Sequence, residues 1–218
     1  MGMDTTFQRA RSDEQREARR LAILGTVAAM LTEMPVTAIS LNELSRRAGL
    51  AKSNVLRYFE SREAILLELL DSEWKQWLAA LPAQLDGVAD GPSLAVALTD
   101  SLRSRRVLCD LLSAQAGVLE RNVSADVAAR YKRAALADVT ALAALFRKTL
   151  PQLTAPAAEQ LCAAAVMVIG AVWTHSQPST GMLAAYREDP SLATFKMEFA
   201  PSLRGVLELL ITGALRTS

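Results

Sequence analysis

The stretch SLNELSRRAGLAKSNVLRYF, residues Ser40–Phe59, decides the reading of this chain. Ser40 and Glu43 stand at capping-box spacing, and Leu41, Leu44 and Ala48 recur along one face, so a helix of about eight residues is predicted. Gly49 follows directly, and a glycine just past a helix end takes the left-handed conformation that a tight turn needs. A second short helix is predicted over Lys52–Phe59. On it Leu50, Val55 and Phe59 can face a core, while Lys52, Ser53, Asn54 and Arg57 face away. Helix, glycine-containing turn and second short helix make the helix-turn-helix plan.

Each outward residue has a use in a DNA major groove. Asn54 can bond adenine N6 and N7 in a bidentate way, Arg57 can do the same with guanine O6 and N7 or grip phosphate, and Ser53 can meet either kind of edge. Lys52 supplies a phosphate cation, and the Ser40 hydroxyl with the amides at that helix start can bind phosphate too. A short polar helix face can equally be plain solvated surface. Charge distribution bears on the choice: Met1–Arg62 holds ten basic and seven acidic residues, a net of +3, in a chain whose total is +1. A basic end on a near-neutral body suits a nucleic-acid-binding module. The arginines Arg9, Arg11, Arg16, Arg19 and Arg20 can add phosphate or minor-groove contacts, or form a solvated terminus.

Outward from this segment the 218-residue chain reads as helix throughout. Ser12 and Gln15, at capping-box spacing, open a first helix whose apolar face is Leu21, Leu24, Val27, Ala28 and Leu31, ended by Pro35. Ser61 is the predicted N-cap of a long helix striped by Leu66, Leu70, Trp74, Trp77 and Leu81, with Pro82 at its end and a loop over Asp86–Ser93. An amphipathic stretch runs from Val107 to Leu119, and Ser124 caps a helix reaching Leu150. Leu161–Trp173 reads as a helix buried on most sides. Gln177–Phe199 reads as a loop with a short helix, and Pro201 opens a last helix with a wide apolar face from Leu203 to Leu215. With no strand pattern the fold class is all-α: a three-helix head, residues 1–61, joined by the long helix to a helical body, residues 62–218.

Composition excludes several functions. Aromatics are 5% and charged residues 22%, and Ala, Leu, Arg and Glu dominate, which favours helix. One histidine and two cysteines, Cys109 and Cys162, do not make a zinc site unaided, so no metal and no cofactor are expected. Two scattered thiols suit a reducing, cytoplasmic setting. No signal peptide is predicted, and the apolar run Leu161–Trp173 is shorter than the roughly 20 residues of a membrane span, so no membrane partner is expected. No phosphate loop, nucleophile elbow or His/Cys/Asp constellation suggests an enzyme. A redox sensor built on Cys109 or Cys162 is a third class, although their apolar neighbours raise thiol pKa and favour inert packing.

The run from Thr37 to Ala64 resembles the N-terminal DNA-binding region of the TetR family of bacterial transcriptional regulators. The Ala48-Gly49 turn, the Arg57-Tyr58-Phe59 ending and the Ser61-Arg62-Glu63-Ala64 start of the next helix fall at that family's spacing. The resemblance implies backbone or base contacts to operator DNA from Thr37, Ser40, Lys52, Ser53, Asn54, Arg57, Tyr58 and Arg62. Leu56 stands where the family usually has a phosphate-touching tyrosine, and Ala51 where a serine commonly caps the recognition helix. The resemblance also implies a homodimer through the last two long helices, near Leu161–Ser176 and Leu203–Leu215, reading a palindromic site. It further implies a small effector in the body that changes the separation of the two heads. Trp74, Trp77, Cys109, Gln115, Tyr131, Met167, Trp173 and His175 are the candidate liners, any of which can instead be ordinary core or surface. Their surroundings suggest an apolar or aromatic ligand. The competing reading is a helical small-molecule-binding protein that does not bind DNA.

Overall fold

The computed structural model describes the backbone of residues 3–218 and the side chains of residues 13–218, and among these described residues there are ten α-helices joined by short tight turns. Among the described residues there is no strand. Helix α1, Met3–Glu33, is longer than its sequence signals suggest: the Ser12 cap is overridden and the helix begins at Met3. No glycine or proline interrupts the chain between Met3 and Leu24, so helix propagates through Ser12. Its buried face is Ile23, Leu24, Val27, Met30 and Leu31, while Leu21 is 58% exposed. The stripe is therefore rotated slightly from the one that includes Leu21.

Helix α2, Leu41–Arg47, is capped as the spacing predicts, with Ser40 Oγ accepting from the Glu43 amide. Only half of the capping box forms, because the Glu43 carboxylate turns instead to Arg46 and Arg47. Gly49 takes φ +64°, the left-handed conformation required there. Helix α3 is only Lys52–Val55, shorter than the predicted Lys52–Phe59. Ala51 makes no side-chain cap, and beyond Val55 the chain tightens into three-residue bonds, Arg57 N–H to Asn54 O and Tyr58 N–H to Val55 O. Burial of Leu44, Val55 and Phe59 against α1 holds the pair, each such side chain stabilising by roughly 1.5–3 kcal/mol.

Helix α4, Arg62–Gln84, starts on the Ser61 hydroxyl, which accepts from the Ala64 amide. Pro82 lies inside its last turn rather than ending it; so near the C-terminus a proline removes a single backbone bond. All five residues of the predicted stripe are buried, Trp77 and Leu81 almost completely. Helix α5, Gly91–Arg103, begins earlier than the predicted loop allows, because Asp90 caps it by accepting from the Ser93 amide. Helix α6, Arg106–Ala114, passes into a single π-helical turn, Gln115–Leu119. Helix α7, Ala125–Thr149, is capped by Ser124 as predicted.

Helix α8, Ala155–His175, packs against α6, α7 and the last helix, α10, Phe199–Arg216. Its 21 residues reach the length and apolarity of a membrane span, but it lies among other helices of the body. It is not buried on most sides: Ala163, Met167 and Ala171 form an exposed stripe, with Met167 68% accessible. Gly170 allows a close crossing, since a Cβ there would stand 3.0 Å from the Leu112 carbonyl oxygen of α6. Helix α9, Thr180–Glu188, and the 3-10 turn Pro190–Phe195 bury no residue.

Head and body share one core. Asp110 of α6 accepts the Val36 amide on one carboxylate oxygen and the Trp173 indole N–H on the other. Glu60, just after the second short helix, accepts the Ser124 amide at the start of α7, and this bond first of all holds its carboxyl below the usual range. Arg20 of α1 donates to the Tyr58 carbonyl and to Glu68 of α4, and its guanidinium lies 4.4 Å over the Phe59 ring. The head is thus tied to α4, α6 and α7 at three points.

Candidate nucleic-acid interface and ligand cavity

On the head, Thr37, Ser40, Lys52, Ser53, Asn54 and Arg57 are all exposed, while Val55 and Phe59 between them are buried. Residues 53, 54 and 57 lie on the arc opposite 55 and 59, and Lys52 is exposed because it opens the helix at its free N-terminal end. Tyr58 is half-buried beside α1, and its backbone oxygen is taken by Arg20. Arg62 points back into the head, donating to the Val36 carbonyl at 3.2 Å with Glu63 alongside. Leu56, at the position of the missing tyrosine, is 41% exposed and offers no polar group.

The structure sorts the cations. Glu43, gripped by Arg46 and then Arg47, has its carboxyl pulled down to about 2, and Arg47 also reaches Glu33. Arg20, Arg46, Arg47 and Arg62 are therefore engaged by the protein's own carboxylates and carbonyls. Among the described residues Arg16, Arg19, Lys52 and Arg57 enter no ion pair. Arg16, Arg19 and Arg57 line one open groove of about 770 Å³ between α1 and the second short helix. Uncommitted guanidiniums around a concave surface are what a phosphate backbone can neutralise. Arg9 and Arg11 lie outside the residues whose side chains are described.

In the body, four of the eight predicted liners meet. Trp74 of α4, Gln115 of the π turn, Tyr131 of α7 and Met167 of α8 surround a largely apolar cavity of about 240 Å³. Leu70, Leu112, Val139 and Val166 complete its apolar wall, with Asp71 and Asp138 as its carboxylates. The other four liners are elsewhere. Trp77 donates to the Ser101 hydroxyl at 2.9 Å inside the α4–α5 contact. Cys109 is fully buried in α6, Trp173 is held by Asp110 and edge-on to Phe199, and His175 is exposed at the end of α8. Helical periodicity places Asp71 on the side of α4 that holds Leu67 and Trp74, so an acid on an apolar face was the legible sign of this site.

Burial first of all pushes the Cys109 and Cys162 thiols up to about 12, so neither carries thiolate at neutral pH. Ellman's reagent at pH 8 is accordingly expected to find no reactive thiol in the native chain and two after denaturation; fast native labelling would revive a redox role. Among the described residues no three His, Cys, Asp or Glu side chains converge as metal ligands.

Comparison with known proteins adds a family and a fold. Residues 71–218 match the family described as "Tetracyclin repressor-like, C-terminal domain". A 72-residue stretch is 39% identical to the HTH-type transcriptional regulator EthR of Mycobacterium tuberculosis, covering 33% of this chain and 33% of that protein. The match therefore spans about a third of the length of this curated relative. The chain is similar in fold to the transcriptional regulator FadR from Bacillus subtilis, solved in complex with stearoyl-CoA, with a TM-score of 0.56, 14% identity, and coverage of 88% of this chain and 98% of that one. A TetR transcriptional regulator from Rhodococcus sp. RHA1 gives a TM-score of 0.56 at 14% identity, covering 91% of this chain and 96% of that one.

Proposed function

We propose, for a chain that belongs to the TetR family of transcriptional regulators, that it is a dimeric, ligand-responsive repressor reading palindromic operator DNA with the second short helix of each head. The observation that carries this reading is the exposed set Lys52, Ser53, Asn54 and Arg57 on the second short helix and the turn that follows it, anchored from behind by buried Val55 and Phe59. A regulatory rather than catalytic role accords with the family, and a cytoplasmic location accords with a chromosomal target.

One such helix reads only a few base pairs, so specificity needs a second copy one helical turn or a multiple away. The exposed stripes Ala163–Met167–Ala171 on α8 and Gly205–Leu209–Gly213 on α10 support a four-helix interface between protomers. Both repeat at i, i+4 and i+8, and open space surrounds Gly205 and Gly213, so a partner helix can approach closely. The effector reading places the ligand in the cavity among α4, α7 and α8. A ligand that displaces α7 from α4 acts on the head through Glu60–Ser124 and Arg20–Glu68, provided it binds one arrangement better than the other.

Selection of bound duplexes from a random pool tests the reading. The expected product is an inverted repeat, and a pool that never enriches would defeat it. On the selected site, Asn54→Ala or Arg57→Ala should each cost about 1–3 kcal/mol and relax one position per half-site. Lys52→Ala should weaken all duplexes alike and flatten the salt dependence. The reading as a ligand-binding protein without DNA affinity predicts no duplex binding at any salt concentration.

A further inference from the structure

The cavity among α4, α7 and α8 has an uneven chemistry. Its wall is apolar and aromatic except for Gln115 and the carboxylates of Asp71 and Asp138, and among the described residues no lysine, arginine or histidine lines it. Lys75 binds one oxygen of Asp71 at 2.6 Å, whereas the other oxygen is buried without a partner among the described residues. The indole N–H of Trp74 is also buried and unpartnered, on a residue only 6% exposed. Buried polar groups in native proteins nearly always find partners, so two orphans among the residues of one cavity indicate an occupant that supplies them. Burial, and then the charge of Asp71, push the Asp138 carboxyl upward, with Lys75 opposing. A further negative charge in the cavity would deepen that conflict, and a positive one would relieve it.

We propose that this cavity takes a small lipophilic amine, its cationic nitrogen at the carboxylates of Asp71 and Asp138 and its apolar skeleton against Val139, Val166 and Met167; this rests on the reading of the cavity as the effector site. Trp74 and Tyr131 present aromatic rings that favour a cation over an anion. An ether or carbonyl oxygen in the skeleton meets the Trp74 N–H. The volume of about 240 Å³ lies just below the roughly 300–1,000 Å³ of drug-sized sites, which selects a molecule of one or two rings. Carboxylate ligands are disfavoured, since they would face the Asp138 carboxyl and the unpaired oxygen of Asp71 with no cation among the described lining residues.

Three probes with nearly the same skeleton test this: 3-phenoxypropylamine, 3-phenoxypropanol and 4-phenoxybutyrate, titrated calorimetrically into the full-length chain at pH 7. The amine should bind about tenfold or more tighter than the alcohol, and the acid weakest, as a charge-assisted hydrogen bond warrants. Asp138→Asn should remove that advantage while leaving the alcohol within about twofold. The amine should also alter tryptophan emission in the native chain and lose that effect in Trp74→Phe. Equal or tighter binding of the acid, or an Asp138→Asn loss shared by amine and alcohol, overturns the amine assignment and leaves the cavity as a site. Absence of binding by all three probes, or binding that never perturbs Trp74, overturns the effector-site reading as well.

Discussion

A chain carrying Leu209→Asp is expected to stay folded and lose its operator. Leu209 is 75% exposed on α10, so a carboxylate there meets water within one protomer and leaves the core of Leu203, Leu207 and Ile211 untouched. In the proposed dimer the same position lies in the stripe that a partner helix covers. Two carboxylates brought together across a two-fold axis must be desolvated without counter-ions, which costs several kcal/mol. The measurable results are a halved mass in sedimentation with unchanged circular dichroism. Specific operator affinity should fall by about 10³-fold or more, towards the non-specific level, because one head reads half a site. A variant that remains dimeric would place the interface elsewhere.

Trp77→Ala should be the most destabilising single truncation in the long helix. Trp77 is 1% exposed, packs edge-to-face on Trp74 with ring centroids 5.0 Å apart, and donates its indole N–H to Ser101 of α5. Removing the ring leaves a large cavity between α4 and α5 and takes the indole donor from the Ser101 oxygen, whose own proton still goes to the Leu98 carbonyl, for a cost of about 3–5 kcal/mol. In a chain of this size that lowers the melting temperature by roughly 10 °C, by calorimetry or circular dichroism. Trp77→Phe keeps most of the packing and should recover most of the loss. A shift of a degree or two for Trp77→Ala would show that α4 is not the spine of the body.

Much of the fold was legible because its signals are local. Ser40, Ser61 and Ser124 each cap a helix where spacing places them, and Gly49 adopts the positive φ that its position in the turn requires. A cap involves residues three apart, so neighbours in sequence suffice to specify it. Sequence pattern and structure part where a local signal competes with a longer run. Ser12 could not end a helix that had no breaker around it, and Pro82 could not end one already closing. The second short helix starts where its pattern does but ends early, because beyond Val55 the Arg57 and Tyr58 amides bond three residues back instead of four.

For the sites the division is sharper. Residue type and helical spacing alone determined the all-α class, the turn at Gly49 and the outward set Lys52, Ser53, Asn54 and Arg57, because each depends on contacts within one or two turns. Only the tertiary structure decided which arginines remain available, since Glu33 lies 14 residues from Arg47 and Glu68 lies 48 from Arg20. It alone decided which candidate liners converge, bringing Trp74, Gln115, Tyr131 and Met167 together with Asp71 and Asp138 while turning Trp77, Cys109, Trp173 and His175 to other neighbours. Helical periodicity gives the face of each rod, whereas a cavity is bounded by several rods whose relative rotation is set by packing, at points such as Gly170 against Leu112.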